Sequence, residues 1–314
     1  MYNHFDGKHF HNEPGSPKLP NLQKALRWNM NREGPKWPVM LPVAPGPRPP
    51  KRVEAGQLRI TFVGHSTVLV QHDGINILLD PVWSDKMGPF SWLGFPRHRA
   101  PGIRFADLPP IDAVLVSHDH YDHLDLPTLK RLDQANSGLK IVVPRRVGRW
   151  FARSGIKAET IELDLWQDAS VGVLKVTATP AVHWSGRLPW AQNGTLWAGF
   201  FIAGSSRIFY AGDTGWGSQF KTVREKLGQP HVAILPIGSY KPRWFMSAQH
   251  IDPAEAVQAA RELGARYSIP VHYGTFHSAD DGPTEALEEL ARQLDADDAP
   301  EFVVLKEGEG KFFE

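Results

Sequence analysis

The sequence predicts an α/β fold in which two β-sheets pack face to face and helices cover the outside. Strand patterns dominate the first half of the chain, and strands alternate with helices towards its end. A pair of sheets flanked by helices accommodates both runs. Short apolar strands such as Ala113–Ser117 and Val232–Pro236 suit positions covered on both faces. Neither an internal repeat nor a linker divides the 314 residues. Residues 57–314 therefore read as one domain, preceded by an arm at 1–56.

The arm is rich in proline, from Pro14 to Pro50, which denies regular backbone hydrogen bonding. Only Leu22–Arg32 has a helical pattern. Phe5, Phe10, Trp28 and Trp37 argue against a solvated tail, so the arm is expected to wrap the domain. Strands are expected at Leu58–Val63, Thr67–Gln71 and Asn76–Leu79, the last after the turn His72-Asp73-Gly74. Ala113–Ser117, Ile141–Pro144, Thr160–Leu163, Ser170–Thr179, Leu196–Ile202 and Ser206–Ala211 follow as strands. Helices are expected at Leu126–Leu132 and Val147–Ser154. Val232–Pro236 reads as a buried strand, and Pro253–Leu263 as a helix with Asp252 as its N-cap. Tyr267–Val271 is a strand, Thr284–Leu294 a helix and Glu301–Leu305 a final strand.

Charge narrows the function little. With 35 basic and 34 acidic residues the net charge is +1, which carries no electrostatic signature of a nucleic-acid partner. No run of about 18 apolar residues suggests a membrane span. The polar, His-rich opening Met1–Glu13 lacks the apolar core of a secretory signal, which favours a cytoplasmic location. Cysteine is absent, so any metal must be held by His, Asp and Glu. No Gly-x-Ser-x-Gly motif of a serine hydrolase occurs.

The densest feature is Ser117-His118-Asp119-His120-Tyr121-Asp122-His123-Leu124-Asp125, directly after an apolar strand. In extended chain His118 and His120 point to one side and can grip a metal. Where the chain turns, Asp122 and His123 can hold another. A polar surface turn explains any one of these residues, but poorly explains the set. Further on, His183, Asp213 and His272 each follow a strand.

His118, His120, Asp122 and His123 match H-x-H-x-D-H, and through it the chain resembles the metallo-β-lactamase superfamily. The resemblance implies a four-layer αββα sandwich. It also implies a metal held by His118, His120 and His183, another held by Asp122, His123 and His272, and Asp213 bridging both. Two Zn²⁺ are expected, with iron or manganese as alternatives for a site without thiolate. Two dications about 3.5–4 Å apart share a water and lower its pKa from 15.7 towards about 7. Asp122 and Asp213 would orient the resulting bridging hydroxide. Asp80 and Asp125 are candidates to fix the imidazole tautomers.

The flanking blocks Val63–Thr67, Leu79–Pro81, Leu108–Ala113, Ala211–Gly215 and His250–Ala256 resemble the N-acyl-phosphatidylethanolamine-hydrolysing phospholipase D family, especially its bacterial members. Phe5–Asn12 is similar to the opening of those members. That branch implies phosphodiester cleavage in a phospholipid. It places His250 against the substrate near the metals, His65 beside the site, and Arg97 and Arg99 as a basic stretch. The arginine fork suits phosphate. Peripheral membrane contact is also implied. Met87–Phe95 is the candidate lipid-facing loop, although its aromatics suit the core as well. The alternatives are a lactonase of the ascorbate-6-phosphate type, which shares the ligands, and a metal-binding regulatory protein on the same fold.

Overall fold

The computed structural model describes residues 3–314 apart from 91, 92, 153, 189, 190 and 297. The chain opens with α1 (Leu22–Met30), then β1 (Leu58–Gly64), β2 (Thr67–His72) and β3 (Ile75–Leu79). A hairpin of β4 (Lys86–Phe90) and β5 (Leu93–Pro96) precedes β6 (Ala113–Leu115), α2 (Leu126–Ala135), β7 (Lys140–Pro144) and β8 (Glu159–Leu163). Then come β9 (Asp168–Val171), β10 (Leu174–Thr179), β11 (Gly199–Ala203), β12 (Arg207–Tyr210), α3 (Gln219–Leu227) and β13 (Val232–Pro236). The chain closes with α4 (Arg243–Met246), α5 (Pro253–Leu263), β14 (Tyr267–Val271), α6 (Glu285–Gln293) and β15 (Gly310–Phe313).

One sheet has the order β15-β1-β2-β3-β6-β7-β8, the other β14-β13-β12-β11-β10-β9. The period-two rule assigns their faces. Ile60, Phe62, Val70, Ile77 and Leu79 meet Val176, Phe200, Ile208 and Ile234 of the second sheet in the central core. The alternate residues Val63, Leu69, Leu78, Val114 and Ile141 turn outward onto Leu129 and Leu132 of α2. On the far side, Ala256, Ala260 and Leu263 of α5 cover the second sheet. The result is the expected helix–sheet–sheet–helix sandwich.

Local chemistry explains the match of α5. Asp252 accepts from Glu255 N at 2.9 Å, Glu255 reaches back to Asp252 N at 3.0 Å, and Pro253 fills the first turn. It also explains the departures. The single strand expected at Ser170–Thr179 is the hairpin β9–β10, because Gly172 turns the chain at φ 57° and Val171 pairs with Leu174. The helix expected at Val147–Ser154 shrinks to a 3₁₀ turn at Val147–Trp150. The Glu162 carboxylate there accepts the backbone N–H groups of Arg146 and Gly148, each at 2.9 Å. Glu301–Leu305 makes one bridge, Phe302 to Ser268, and the last ladder strand is β15 against β1. Helix α3 was not anticipated: its buried face is narrow, formed by Gln219, Phe220 and Val223.

Residues of the arm touch the domain at intervals. Phe10 is fully buried. The indole N–H of Trp28 donates to Asp280 at 2.8 Å and that of Trp37 to the Asp281 carbonyl at 3.0 Å. Leu41 N and Gly46 N donate to His98 O and Gly102 O. Among the described residues no helix is long and apolar enough to cross a membrane.

Candidate metal centre

Strands β1, β3, β6, β10, β12 and β14 run so that their carboxyl ends meet at one edge of the sandwich. Past those ends lie His65, Asp80, His118–His123, His183, Asp213 and His272 in turn. The backbone is strained here: His65, Asp80 and His272 have φ of 56°, 38° and 63°, a left-handed region that non-glycine residues rarely enter. Tertiary bonds hold them, His272 N to His65 O and Asp80 N to Leu115 O, both 2.9 Å. Glycine permits the close packing alongside. A Cβ on Gly212 would lie 2.9 Å from that of Ser117, and one on Gly238 would lie 2.0 Å from the His272 carbonyl oxygen.

The side chains converge. His120 Nδ1 lies 2.8 Å from His118 Nε2 and 3.2 Å from His183 Nε2. A tetrahedral metal with bonds of about 2.0–2.1 Å sets its nitrogen ligands roughly 3.3 Å apart, so this trio fits one ion. Asp122 Oδ2 lies 3.1 Å from His65 Nε2, 3.4 Å from His272 Nε2 and 3.7 Å from His123 Nε2. Asp213 Oδ2 joins the two groups. It lies 3.1 Å from His272 and 3.2 Å from His123, and 3.9 Å and 4.0 Å from His183 and His118.

Outer contacts aim the rings. His123 Nδ1 meets Asp80 Oδ2 at 2.6 Å, His183 Nδ1 the Gln249 carbonyl at 2.9 Å, and His118 Nδ1 the Ser117 hydroxyl at 2.9 Å. Nδ1–H donation to Asp80 and to Gln249 O turns Nε2 of His123 and of His183 towards the centre. Burial holds His118 well below the usual histidine range, His120 near 4 and His183 near 3, so these imidazoles are neutral. Burial disfavours ionised carboxylates too, but His123 and His272 hold Asp122 and Asp213 well below the usual range. In return the carboxylates overcome burial at His272, raised to about 9, and at His123.

Such a donor set fits cations. Nε2 of His123 and of His272 and Oδ1 of Asp213 are buried without a hydrogen-bond partner. Orphaned buried polar atoms are costly, and a metal ion would satisfy them together.

The remaining residues singled out in the sequence separate. His250 lines the cavity above the centre, its Nδ1 3.8 Å from Asp213 and its ring stacked on His272. Burial lowers it to about 3. His65 contacts Asp122, as above. Asp125 does not reach an imidazole: it accepts from Trp83 N, Ser84 and Thr128 and fastens the loop after β3. Arg97 and Arg99 are corrected as phosphate ligands. Arg97 is buried and donates to the carbonyls of Val82, Ser84 and Arg99, while Arg99 pairs with Glu307 at 2.6 Å. Replacing Arg97 by Gln strands those carbonyls at about 1–3 kcal/mol each. The expected result is a lower Tm with an unchanged KM, checked by thermal melts beside kinetics.

The sequence did not reveal the roles of two other residues at the site. Arg187 lines the cavity, stacked 3.9 Å over the Tyr121 ring and donating to Asp119 O and Leu124 O. Asn12 of the arm clamps the backbone of His183: it donates to His183 O at 2.8 Å and accepts from His183 N at 3.1 Å. Asn12→Ala is expected to weaken metal affinity about 10–100-fold, the usual cost of losing an outer support. A competitive chelator titration measures this.

Residues 75–273 match the β-lactamase superfamily domain. An N-acyl-phosphatidylethanolamine-hydrolysing phospholipase D of Caenorhabditis elegans is 37% identical over 285 residues, covering 86% of this chain and 80% of that protein. A metal-dependent hydrolase of Rubrobacter xylanophilus is 33% identical, covering 81% of this chain and 96% of its own. Among solved structures, the metallo-hydrolase Igni18 of Ignicoccus hospitalis superposes with a TM-score of 0.60 at 24% identity, over 82% of this chain and 99% of that one.

Proposed function

The chain belongs to the metallo-β-lactamase superfamily of metal-dependent hydrolases, as a relative of the N-acyl-phosphatidylethanolamine-hydrolysing phospholipases D, and from that premise we propose that it is a phosphodiesterase acting on N-acyl-phosphatidylethanolamine or a similar diester. One observation carries the reading: Asp213 ties two His-rich groups together on the floor of a cavity of about 590 Å³ that has apolar walls. His118, His120 and His183 would hold one ion, Asp122, His123 and His272 another, with Asp213 between them. Zinc is the expected metal, with iron or manganese as alternatives. When bound, such a pair supplies Lewis acidity and a nucleophilic water at neutral pH.

The protein's own residues do the rest. Water oxygen adds to phosphorus, the P–O bond to the N-acylethanolamine breaks, and the leaving oxygen takes a proton. Neutral His250 lines the cavity wall beside Asp213 and is placed to contact the substrate near the metals. Trp28, Phe245, Met246 and Met87 offer apolar surface to the acyl chains.

The rim supports peripheral contact with a lipid surface. Helix α1 sends Ala25 and Trp28 into the cavity, and the β4–β5 hairpin sends Met87. They also expose Leu26, Met30, Phe90, Leu93 and Phe95, of which Met30 is 82% accessible. The hairpin aromatics thus point to solvent rather than to the core; Ser91 and Trp92 of that loop lie outside the described residues.

The test is turnover by the zinc-loaded protein. N-Acyl-phosphatidylethanolamine in mixed micelles should yield N-acylethanolamine and phosphatidic acid in equal amounts. If that lipid and bis-p-nitrophenyl phosphate both stay intact, the diesterase reading is lost, and lactone turnover would put the lactonase in its place. Full biological effect in a metal-free variant would favour the regulatory protein.

A further inference from the structure

A second, smaller cavity of about 420 Å³ adjoins the catalytic one, with Leu188 and Gln192 lining both. Its wall carries Lys8, His9, Arg146 and Arg149, with Trp150 at one side and no carboxylate in the lining. Distant parts of the chain supply these groups, of which Lys8, Arg146 and Arg149 are the cations. Lys8 and His9 come from the arm, and Arg146 and Arg149 from the turn after β7.

Packing holds the cations together. Phe5 bridges to Phe10, Phe10 is fully buried, and Phe10 N donates to Asn193 O at 2.8 Å. The Arg146 guanidinium lies 4.4 Å from the Phe5 ring centroid and donates to the Lys8 carbonyl at 3.3 Å. Arg149 lies 5.0 Å from the Trp150 ring centroid and makes one long bond, to Gly194 O at 3.4 Å.

Nearby carboxylates are engaged elsewhere. Asp6 accepts the backbone N–H groups of Lys8 and His9 and contacts the rings of His11 at 2.9 Å and His9 at 3.9 Å. Glu162 takes the backbone of Arg146 and Gly148, and Asp164 pairs with His4 and Arg145. Among the described residues no carboxylate lies within ion-pair distance of Lys8 Nζ or of the Arg146 and Arg149 guanidinium groups. Like charges gathered this way repel one another. An anion entering the cavity relieves that repulsion.

We propose that Lys8, His9, Arg146 and Arg149 form a phosphate-binding subsite, separate from the metal centre and opening beside its cavity. The arginines offer planar donor forks and Lys8 a mobile point charge, a combination suited to a phosphate group with several acceptor oxygens. That phosphate can belong to a lipid headgroup or be free in solution. The proposal rests on these cations alone and is tested by binding, so it stands or falls apart from the diesterase reading.

The variant is Lys8→Gln with Arg149→Gln. Both side chains are exposed, and an unchanged Tm verifies the fold. Metal-loaded wild type and variant are titrated with inorganic phosphate by calorimetry. They are also sedimented with phosphatidylcholine vesicles with and without phosphatidylglycerol. Losing two near-surface cations should weaken the affected binding about thirtyfold. A phosphate-binding event present in the wild type and lost in the variant assigns the subsite to free phosphate. Weakening confined to phosphatidylglycerol vesicles assigns it to a lipid headgroup. Identical phosphate isotherms and identical sedimentation in wild type and variant overturn the proposal.

Discussion

Asp213→Asn is expected to lower the metal content from about two ions per chain to about one or fewer, and kcat/KM by roughly 10³-fold or more. Asp213 is the carboxylate closest to both halves of the centre, with Oδ2 3.1 Å from His272 and 3.9 Å from His183. Asparagine keeps the shape but removes the charge. A neutral amide cannot balance two dications, and its NH₂ group would face imidazole lone pairs that must stay free for metal. Several kcal/mol of charge stabilisation depends on the metal pair, and every 1.36 kcal/mol is tenfold in rate. Elemental analysis and kinetics on the same preparation check the expectation. His118→Ala should be less severe in total metal, because its ring faces His120 and His183 rather than Asp122. Wild-type metal content in Asp213→Asn would mean that Asp213 does not bridge, and the two groups would then have to be treated as separate sites.

What the sequence made legible follows from how far apart the interacting residues lie. His118 to His123 are contiguous, so their chemistry shows in a short window. His183, Asp213 and His272 were found through the resemblance to the superfamily, each past the end of an expected strand, and the structure gathers all of them at one edge. Helix α5 announced itself through Asp252, Pro253 and Glu255, which act within one turn. Strand β15 did not, because Gly310–Phe313 pairs with β1 near the opposite end of the domain. The role of Asn12 was hidden for the same reason: Phe5–Asn12 resembles the family's opening, but nothing in it shows that Asn12 will hold the backbone of His183. Arg97 and Arg99 show another limit. A window of sequence reveals a guanidinium but not its acceptors, and here carbonyls and Glu307 occupy them.

Asp80→Ala should affect stability and metal binding together, because one buried carboxylate serves both. Asp80 is fully buried. It accepts from Ser117 N at 2.7 Å and from the Ser117 hydroxyl, the Tyr210 hydroxyl and His123 Nδ1. Alanine leaves all these donors in a dry interior. Breaking a buried charged network costs about 3–5 kcal/mol, which should appear as a large fall in Tm. His123 also loses the partner that turns Nε2 towards Asp122 and Asp213, so metal affinity should fall about 10–100-fold. Asp80→Asn separates the effects. An amide oxygen can still accept from Ser117 or Tyr210, so stability should recover in part. The amide holds His123 less firmly than a carboxylate does, so the metal defect should persist. A chelator titration beside a thermal melt for each variant reads both quantities. Equal recovery of Tm and metal affinity in Asp80→Asn would show that Asp80 acts only through packing, and His123 would then owe its orientation to the chain around it.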